Sequence, residues 1–119
     1  MPLLKTMPIL EVRNISKRYG ATTALNNCSI SINESEIHVL IGSNGSGKST
    51  LCKIISGSVQ ADAGDIFIRN KSSIINSPID AKKLGISTFY QELSIANHAT
   101  VENNIFMTIP LYTLTFKQK

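Results

Sequence analysis

Cysteine is scarce in this chain, and the scarcity excludes two chemistries. Only Cys28 and Cys52 occur, without a CxxC pair, so neither a disulfide framework nor a thiolate metal knuckle is available. Cys28 falls in an alternating strand pattern and Cys52 in a helical one. Both are expected to be small buried apolar residues, which suits a reducing compartment. Long apolar runs are missing as well. Nothing approaches the roughly 18 residues of a membrane span, and the opening "MPLLKTMPIL" has too short an apolar core for a signal peptide. A cytoplasmic protein without direct membrane insertion is the expectation. Clustered positive charge is absent too. The net charge is +4 and the pI about 9.2, but the Lys and Arg residues are scattered and no basic run is interleaved with aromatics. That distribution argues for a mildly basic surface and against nucleic-acid binding. There is no internal repeat and no low-complexity segment.

What remains is an ordinary globular composition, 42% hydrophobic and 17% charged, on 119 residues. That length suits one small domain with a modest core. "ILEVRN" (9–14) and "NCSISIN" (27–33) alternate as half-buried strands do, with "KRYG" (17–20) as the turn that closes the first. "NESE" (33–36) reads as a turn. "IHVLI" (37–41) is nearly continuous apolar, the pattern of a strand covered on both faces. "KSTLCKIIS" (48–56) places Leu51, Ile54 and Ile55 at helical spacing, with Gly57 to stop it. Then come a loop at "QADAG" (60–64), a strand at "DIFIRN" (65–70), and a short helix in "SPIDAKKLG" (77–85), with Ser77 as cap, Pro78 at its first position and Gly85 as terminator. A strand is expected at "ISTFY" (86–90). Thr100 is placed to cap a helix running through Phe106 and Met107, which Pro110 interrupts.

The chemistry sits in "IGSNGSGKST" (41–50). Gly42, Ser43, Asn44, Gly45, Ser46, Gly47, Lys48 and Ser49 match G-x-x-x-x-G-K-[ST] in full, with an apolar segment before and a helix after. Glycines let consecutive backbone N–H groups converge on an anion. The following helix adds its own N-terminal N–H groups and the positive end of its dipole. Lys48 is expected to reach the β- and γ-phosphates of a nucleotide, Ser49 to offer a hydroxyl to Mg²⁺, and Thr50 to add a phosphate contact. The loop alone does not select a reaction, since nucleotide kinases, small GTPases and transport ATPases share it.

The segment "ISKRYGATTALNNCSISI" resembles the opening of the ATP-binding subunits of ABC transporters, and the resemblance extends over residues 8–107. Tyr19 matches the aromatic residue that stacks on adenine in that family, a role its ring can perform. "STFYQEL" (87–93) looks like the family's Q-loop. Gln91 stands at its glutamine, which contacts Mg²⁺ and the attacking water. "EIHVLIGSNGSGKSTLCKIISG", His38 and the triplet Gln91-Glu92-Leu93 are similar to importers of monosaccharides such as ribose, galactose or xylose. Asn103 departs from that subgroup, where a Glu usually precedes "NIF". His38 is expected to be a structural strand residue, and His98 a solvated loop residue.

The resemblance implies an α/β fold, a P-loop NTPase of the ABC-ATPase type. Here it is incomplete, with N-terminal antiparallel β segments plus the start of the P-loop core. It implies ATP and Mg²⁺ as cofactors. The implied partners are a second ATP-binding domain and a membrane permease at the inner face of the cell membrane. Residues 1–107 would form the N-terminal part of the ATP-binding domain, and 108–119, where the resemblance ceases, a divergent tail. The family also uses an aspartate and a glutamate after a second buried strand, an "LSGGQ" loop and a later histidine. No acidic residue here follows a run of four apolar ones, and "SGG" does not occur. The expectation is a truncated chain that binds nucleotide with slight turnover at best. Two alternatives stay open: a non-catalytic nucleotide-binding remnant, and another P-loop enzyme such as a small kinase. Against the kinase stand "RYG", "YQEL" and the lack of an Arg-rich lid.

Overall fold

The computed structural model describes residues 7–89 and 96–106. Seven elements follow in order: β1 (Pro8–Tyr19), β2 (Thr22–Asn33), α1 (Lys48–Ile55), β3 (Ala63–Ile68), β4 (Lys71–Ser73), α2 (Pro78–Lys83) and α3 (Val101–Phe106). The chain forms two compact units, residues 1–88 and 89–119.

In the first unit the four strands make one antiparallel sheet, ordered β2-β1-β3-β4. β1 is longer than its alternating core of 9–14 and carries Tyr19 as its last residue, paired with Thr22 across the turn at Gly20. Four register shifts interrupt the β1–β2 ladder, and two of them fall in its middle. Val12 pairs with Ile30 and Ile15 with Cys28, so β1 holds one residue more than β2 between them; Ile15 to Lys17 against Cys28 to Leu25 reverses the excess. The extra residues are Asn14 (φ 53°) and Asn27 (φ 49°), of the type that tolerates left-handed backbone. Each is held by a serine of the other strand. The Asn14 N–H donates to Ser29 Oγ at 2.8 Å, and the Asn27 N–H donates to Ser16 Oγ at 3.0 Å.

The physical consequence concerns parity. Strict alternation from Val12 would bury Asn14. The bulge instead turns Ile15 inward, and Val12 and Ile15 are 0% and 1% exposed. Each such side chain contributes about 1.5–3 kcal/mol by leaving water. Val12 pairs with Ile66 and Leu10 with Ile68, so β3 presents its isoleucines to the same face. Leu51 and Ile54 of α1 close over it, with Leu25, Ile75 and Ala81. The opposite face is polar. There Arg13 lies 4.1 Å from the Phe67 ring centre and donates twice to Glu11, both at 2.8 Å. The Arg13 guanidinium holds the Glu11 carboxyl below its ordinary range.

Several sequence expectations are met. α1 ends before Gly57, and Asp80 N–H donates to Ser77 Oγ at 3.2 Å, capping α2 ahead of Pro78. Others need correction. "IHVLI" forms no strand: Ile37, Val39 and Ile41 are 94%, 73% and 91% exposed. A continuous apolar strand needs ladder partners and cover on both faces. Among the described residues β1–β4 pair only with one another, so nothing pairs with it. Residues 86–89 likewise form no strand; Ile86 N–H donates instead to Ala81 O at 2.9 Å, finishing α2. Tyr90 lies outside the described residues. Cys52 is exposed and Cys28 half-buried, because α1 turns Leu51 and Ile54, not Cys52, to the sheet. β4 was not anticipated; it pairs with β3 through a turn at Arg69 and Asn70, both left-handed.

In the second unit, Thr100 caps α3 as expected, its Oγ1 accepting from Asn103 N–H at 3.2 Å. Asn104 pins the preceding turn: its Oδ1 accepts from Ala96 N–H at 2.9 Å, and its Nδ2 donates to Thr100 O at 3.0 Å. His98 is exposed. Met107 and residues 108–119 lie outside the described residues.

Candidate functional site

The β1–β2 hairpin and the N-terminus of α1 build one cleft. Tyr19 stands at the end of β1; Thr22, Thr23 and Ala24 open β2; Asn44 to Thr50 form the loop and the first turn of α1. Together they line a cleft of about 320 Å³. What seats the loop here is Gly47. It is the residue before α1, with φ 90°, and it lies against the hairpin. A Cβ there would collide with the Ala24 carbonyl and would stand 2.7 Å from Leu25 Cδ2. Only glycine supplies both the left-handed backbone and the clearance.

The entry to α1 carries no competing acceptor of its own. No side chain caps it and no acidic residue occupies its first turn, so its leading N–H groups face the cleft without competition. Lys48 crosses back over the loop. Its Nζ donates to Gly42 O at 2.7 Å, Ser43 O at 2.6 Å and Ser46 Oγ at 3.0 Å. The Ser46 N–H donates to Ser43 O at 3.2 Å, closing the turn. The ammonium is thus held at the loop's centre by groups from both of its limbs. Ser49 and Thr50, one and two residues on, border the same cleft.

Of the residues singled out in the sequence, Tyr19, Asn44, Gly45, Ser46, Gly47, Lys48, Ser49 and Thr50 line the cleft. Gly42 and Ser43 join through Lys48. Gln91, expected at Mg²⁺ and water, lies outside the described residues. His38 takes no part in the cleft; its Nε2 sits 2.8 Å from Glu36 Oε2. The Asn33 side-chain amide, with His38 second, brings the Glu36 carboxyl down to about 2.

Two residues went unnoticed in the sequence. The ammonium of Lys17 lies 5.6 Å over the Tyr19 ring, and it donates to Asp62 Oδ1 at 2.8 Å. The other carboxylate oxygen, Asp62 Oδ2, accepts from Arg18 N–H at 2.7 Å. The Lys17 hydrogen bond, then that of Arg18, holds the Asp62 carboxyl below its ordinary range. Lys17 falls in the "KRYG" segment expected as a turn; the structure keeps it in β1, two residues before Tyr19. Asp62, 45 residues away along the chain, carried no signal.

A glycine-rich loop feeding a helix N-terminus beside an antiparallel sheet is the partial fold of a P-loop NTPase. Residues 25–119 match the ABC transporter family. The chain is 43% identical over 111 residues to the xylose/arabinose import ATP-binding protein XylG of Sulfolobus acidocaldarius, covering 93% of this chain and 44% of that protein. It is 46% identical over 101 residues to a ribose import ATP-binding protein of Burkholderia ambifaria, covering 84% and 20%. It therefore spans less than half the length of these relatives. Among solved structures it resembles a nucleotide-free ATP-binding cassette from an ABC transporter, with TM-score 0.69 and 33% identity over 87% of this chain and 47% of that one. It also resembles the ADP conformation of another such cassette, with TM-score 0.64 and 41% identity over 67% and 32%. The chain belongs to the ABC transporter family. Among the described residues no helix is long and apolar enough to cross a membrane.

Proposed function

We propose that this chain binds Mg²⁺-ATP as part of the ATP-binding subunit of a monosaccharide importer. The observation that carries the reading is the convergence of Tyr19 and residues 44–50 on one cleft. An aromatic ring at one end and a helix N-terminus with a lysine at the other match the two halves of a nucleotide, a flat base and a polyanionic chain. The donor set fits that ligand. Backbone N–H groups of Asn44, Gly45, Gly47 and Lys48 would take phosphate oxygens, together with the Thr50 hydroxyl and the Lys48 ammonium, which would exchange loop oxygens for phosphate ones. Ser49 would offer its hydroxyl to Mg²⁺, and Gln91 would meet the same ion and the attacking water. Tyr19 would carry the base. Bound Mg²⁺ supplies charge neutralisation between the phosphates; the residues here bind and orient.

The names of the relatives, an ATP-binding protein of xylose/arabinose import and one of ribose import, support the transport role. In that role a second ATP-binding domain and a membrane permease would complete the machine at the inner face of the membrane. The sequence holds no "SGG" and no acidic residue after a run of four apolar ones. These residues alone are therefore proposed to bind ATP with little turnover.

Equilibrium dialysis of Mg²⁺-ATP against the full chain and Lys48→Ala tests the reading. Loss of binding with an unchanged far-UV CD spectrum is expected. Equal binding by both proteins sinks it.

A further inference from the structure

Asp62 touches nothing in the cleft, yet it holds the strand end that carries the cleft's aromatic ring. Its own N–H donates to Ser16 O at 2.9 Å. Its carboxylate takes the Lys17 ammonium at 2.8 Å and the Arg18 N–H at 2.7 Å. One residue of the loop before β3 therefore grips three consecutive residues of β1, immediately before Tyr19. Lys17 is the link. Its side chain is only 15% exposed, and its ammonium stands 5.6 Å over the Tyr19 ring. The ring itself is half-exposed and borders the cleft.

Two effects follow from this chain of contacts. First, a strand end is ordinarily a fraying position; the Asp62 grip removes that freedom and keeps the ring beside the loop. Second, a cation over one face of an aromatic ring is attracted by its π density. Asp62 fixes the ammonium in that place instead of leaving it to swing into solvent. A ring so held is a rigid platform, and rigid platforms bind planar ligands with less loss of freedom than mobile ones.

We infer that Asp62 is a positioning residue for base recognition: through Lys17 it holds Tyr19 as a platform for the base of a nucleotide whose phosphates occupy the loop. The inference rests on the nucleotide-binding reading given above. It assigns discrimination between a nucleotide and a bare polyphosphate to a contact outside the cleft. Asp62 contributes to affinity only where the ligand has a base.

The test compares Mg²⁺-ATP with Mg²⁺-tripolyphosphate, each titrated calorimetrically into the full chain. Asp62→Asn and Lys17→Met are each expected to weaken ATP about two- to fivefold, the size of an exposed cation–π contact. Tripolyphosphate affinity stays unchanged. The double substitution is expected to weaken ATP no further than either single one, because both break the same link. Tyr19→Ala sets the upper limit of the loss. Asp62→Glu, which keeps the charge, is expected to recover much of the ATP affinity, and thermal unfolding of each variant checks that it is folded. Equal losses for both ligands would assign Asp62 a purely structural role and overturn the inference. So would unaltered ATP binding in Asp62→Asn. If the unsubstituted chain binds neither ligand, the nucleotide-binding reading fails and this inference with it. If it binds ATP no better than tripolyphosphate, the loop reading survives and the platform is refuted.

Discussion

Replacing Gly47 by alanine separates backbone cost from steric cost, because Gly45 provides a matched control. Both glycines lie in the left-handed region, at φ 90° and 81°. A Cβ on Gly45 meets nothing within 4 Å, whereas one on Gly47 collides with the Ala24 carbonyl and approaches Leu25 Cδ2 to 2.7 Å. Left-handed backbone costs an alanine about 1–2 kcal/mol. Gly45→Ala should lose about that much and no more. Gly47→Ala should lose a further ~1–3 kcal/mol, because the obstructing atoms belong to the β2 backbone and a core leucine and cannot swing aside. The total, about 2–5 kcal/mol, is a large fraction of the stability of a small domain.

The chain has no tryptophan, so far-UV CD is the natural probe. Each kcal/mol moves the melting temperature of a domain this size by about 4–8 °C. Gly47→Ala should therefore melt at least about 4 °C below Gly45→Ala. It should also bind Mg²⁺-ATP more weakly, since relief of the collision would lift the loop off the hairpin. Equal melting temperatures for the two variants would refute the claim that contact with Ala24 and Leu25 seats the loop.

Two other outcomes are expected. The Glu36 carboxyl, brought down to about 2 chiefly by Asn33 and then by His38, gives stability that is present above the ordinary glutamate range and is lost as pH falls toward about 2. Glu36→Gln should flatten acid unfolding across that window, followed by CD; an unchanged acid limb would show that Glu36 is not a source of it. The exposed apolar segment at 37–41 should drive self-association. Ile41→Lys, at a position 91% exposed, should lower the apparent mass in light scattering without lowering the melting temperature; unchanged association would place the sticky surface elsewhere.

Much of the site was legible in the sequence because it is local. The glycine-rich loop is a run of backbone donors, glycines and one lysine within ten residues, and α1 follows from the spacing of Leu51 and Ile54. The caps at Ser77 and Thr100 are equally local, each a side-chain oxygen meeting an N–H three residues on. The membership of Tyr19 in the site was read from resemblance; its place in the cleft follows from the hairpin, which returns β2 beside the strand end.

Where the reading failed, the deciding partner lay far away or was missing from the described residues. "IHVLI" has the composition of a buried strand, but a ladder is a property of two segments. The four described strands pair only with one another, which leaves Ile37 and Ile41 in water. The bulges at Asn14 and Asn27 were invisible because alternation looks the same on either side of them. Only the serines of the facing strand reveal why Ile15, and not Asn14, is buried. Asp62 is the clearest case. Nothing near it in the chain marks it, and its link to the Tyr19 ring exists only because the sheet sets the loop before β3 against the end of β1. The sequence by itself determines the glycine-rich loop and the helix behind it, since both depend on contacts within a few residues. Tertiary structure decided which apolar segments are covered and which distant charge supports the ring, since those depend on what the fold brings alongside.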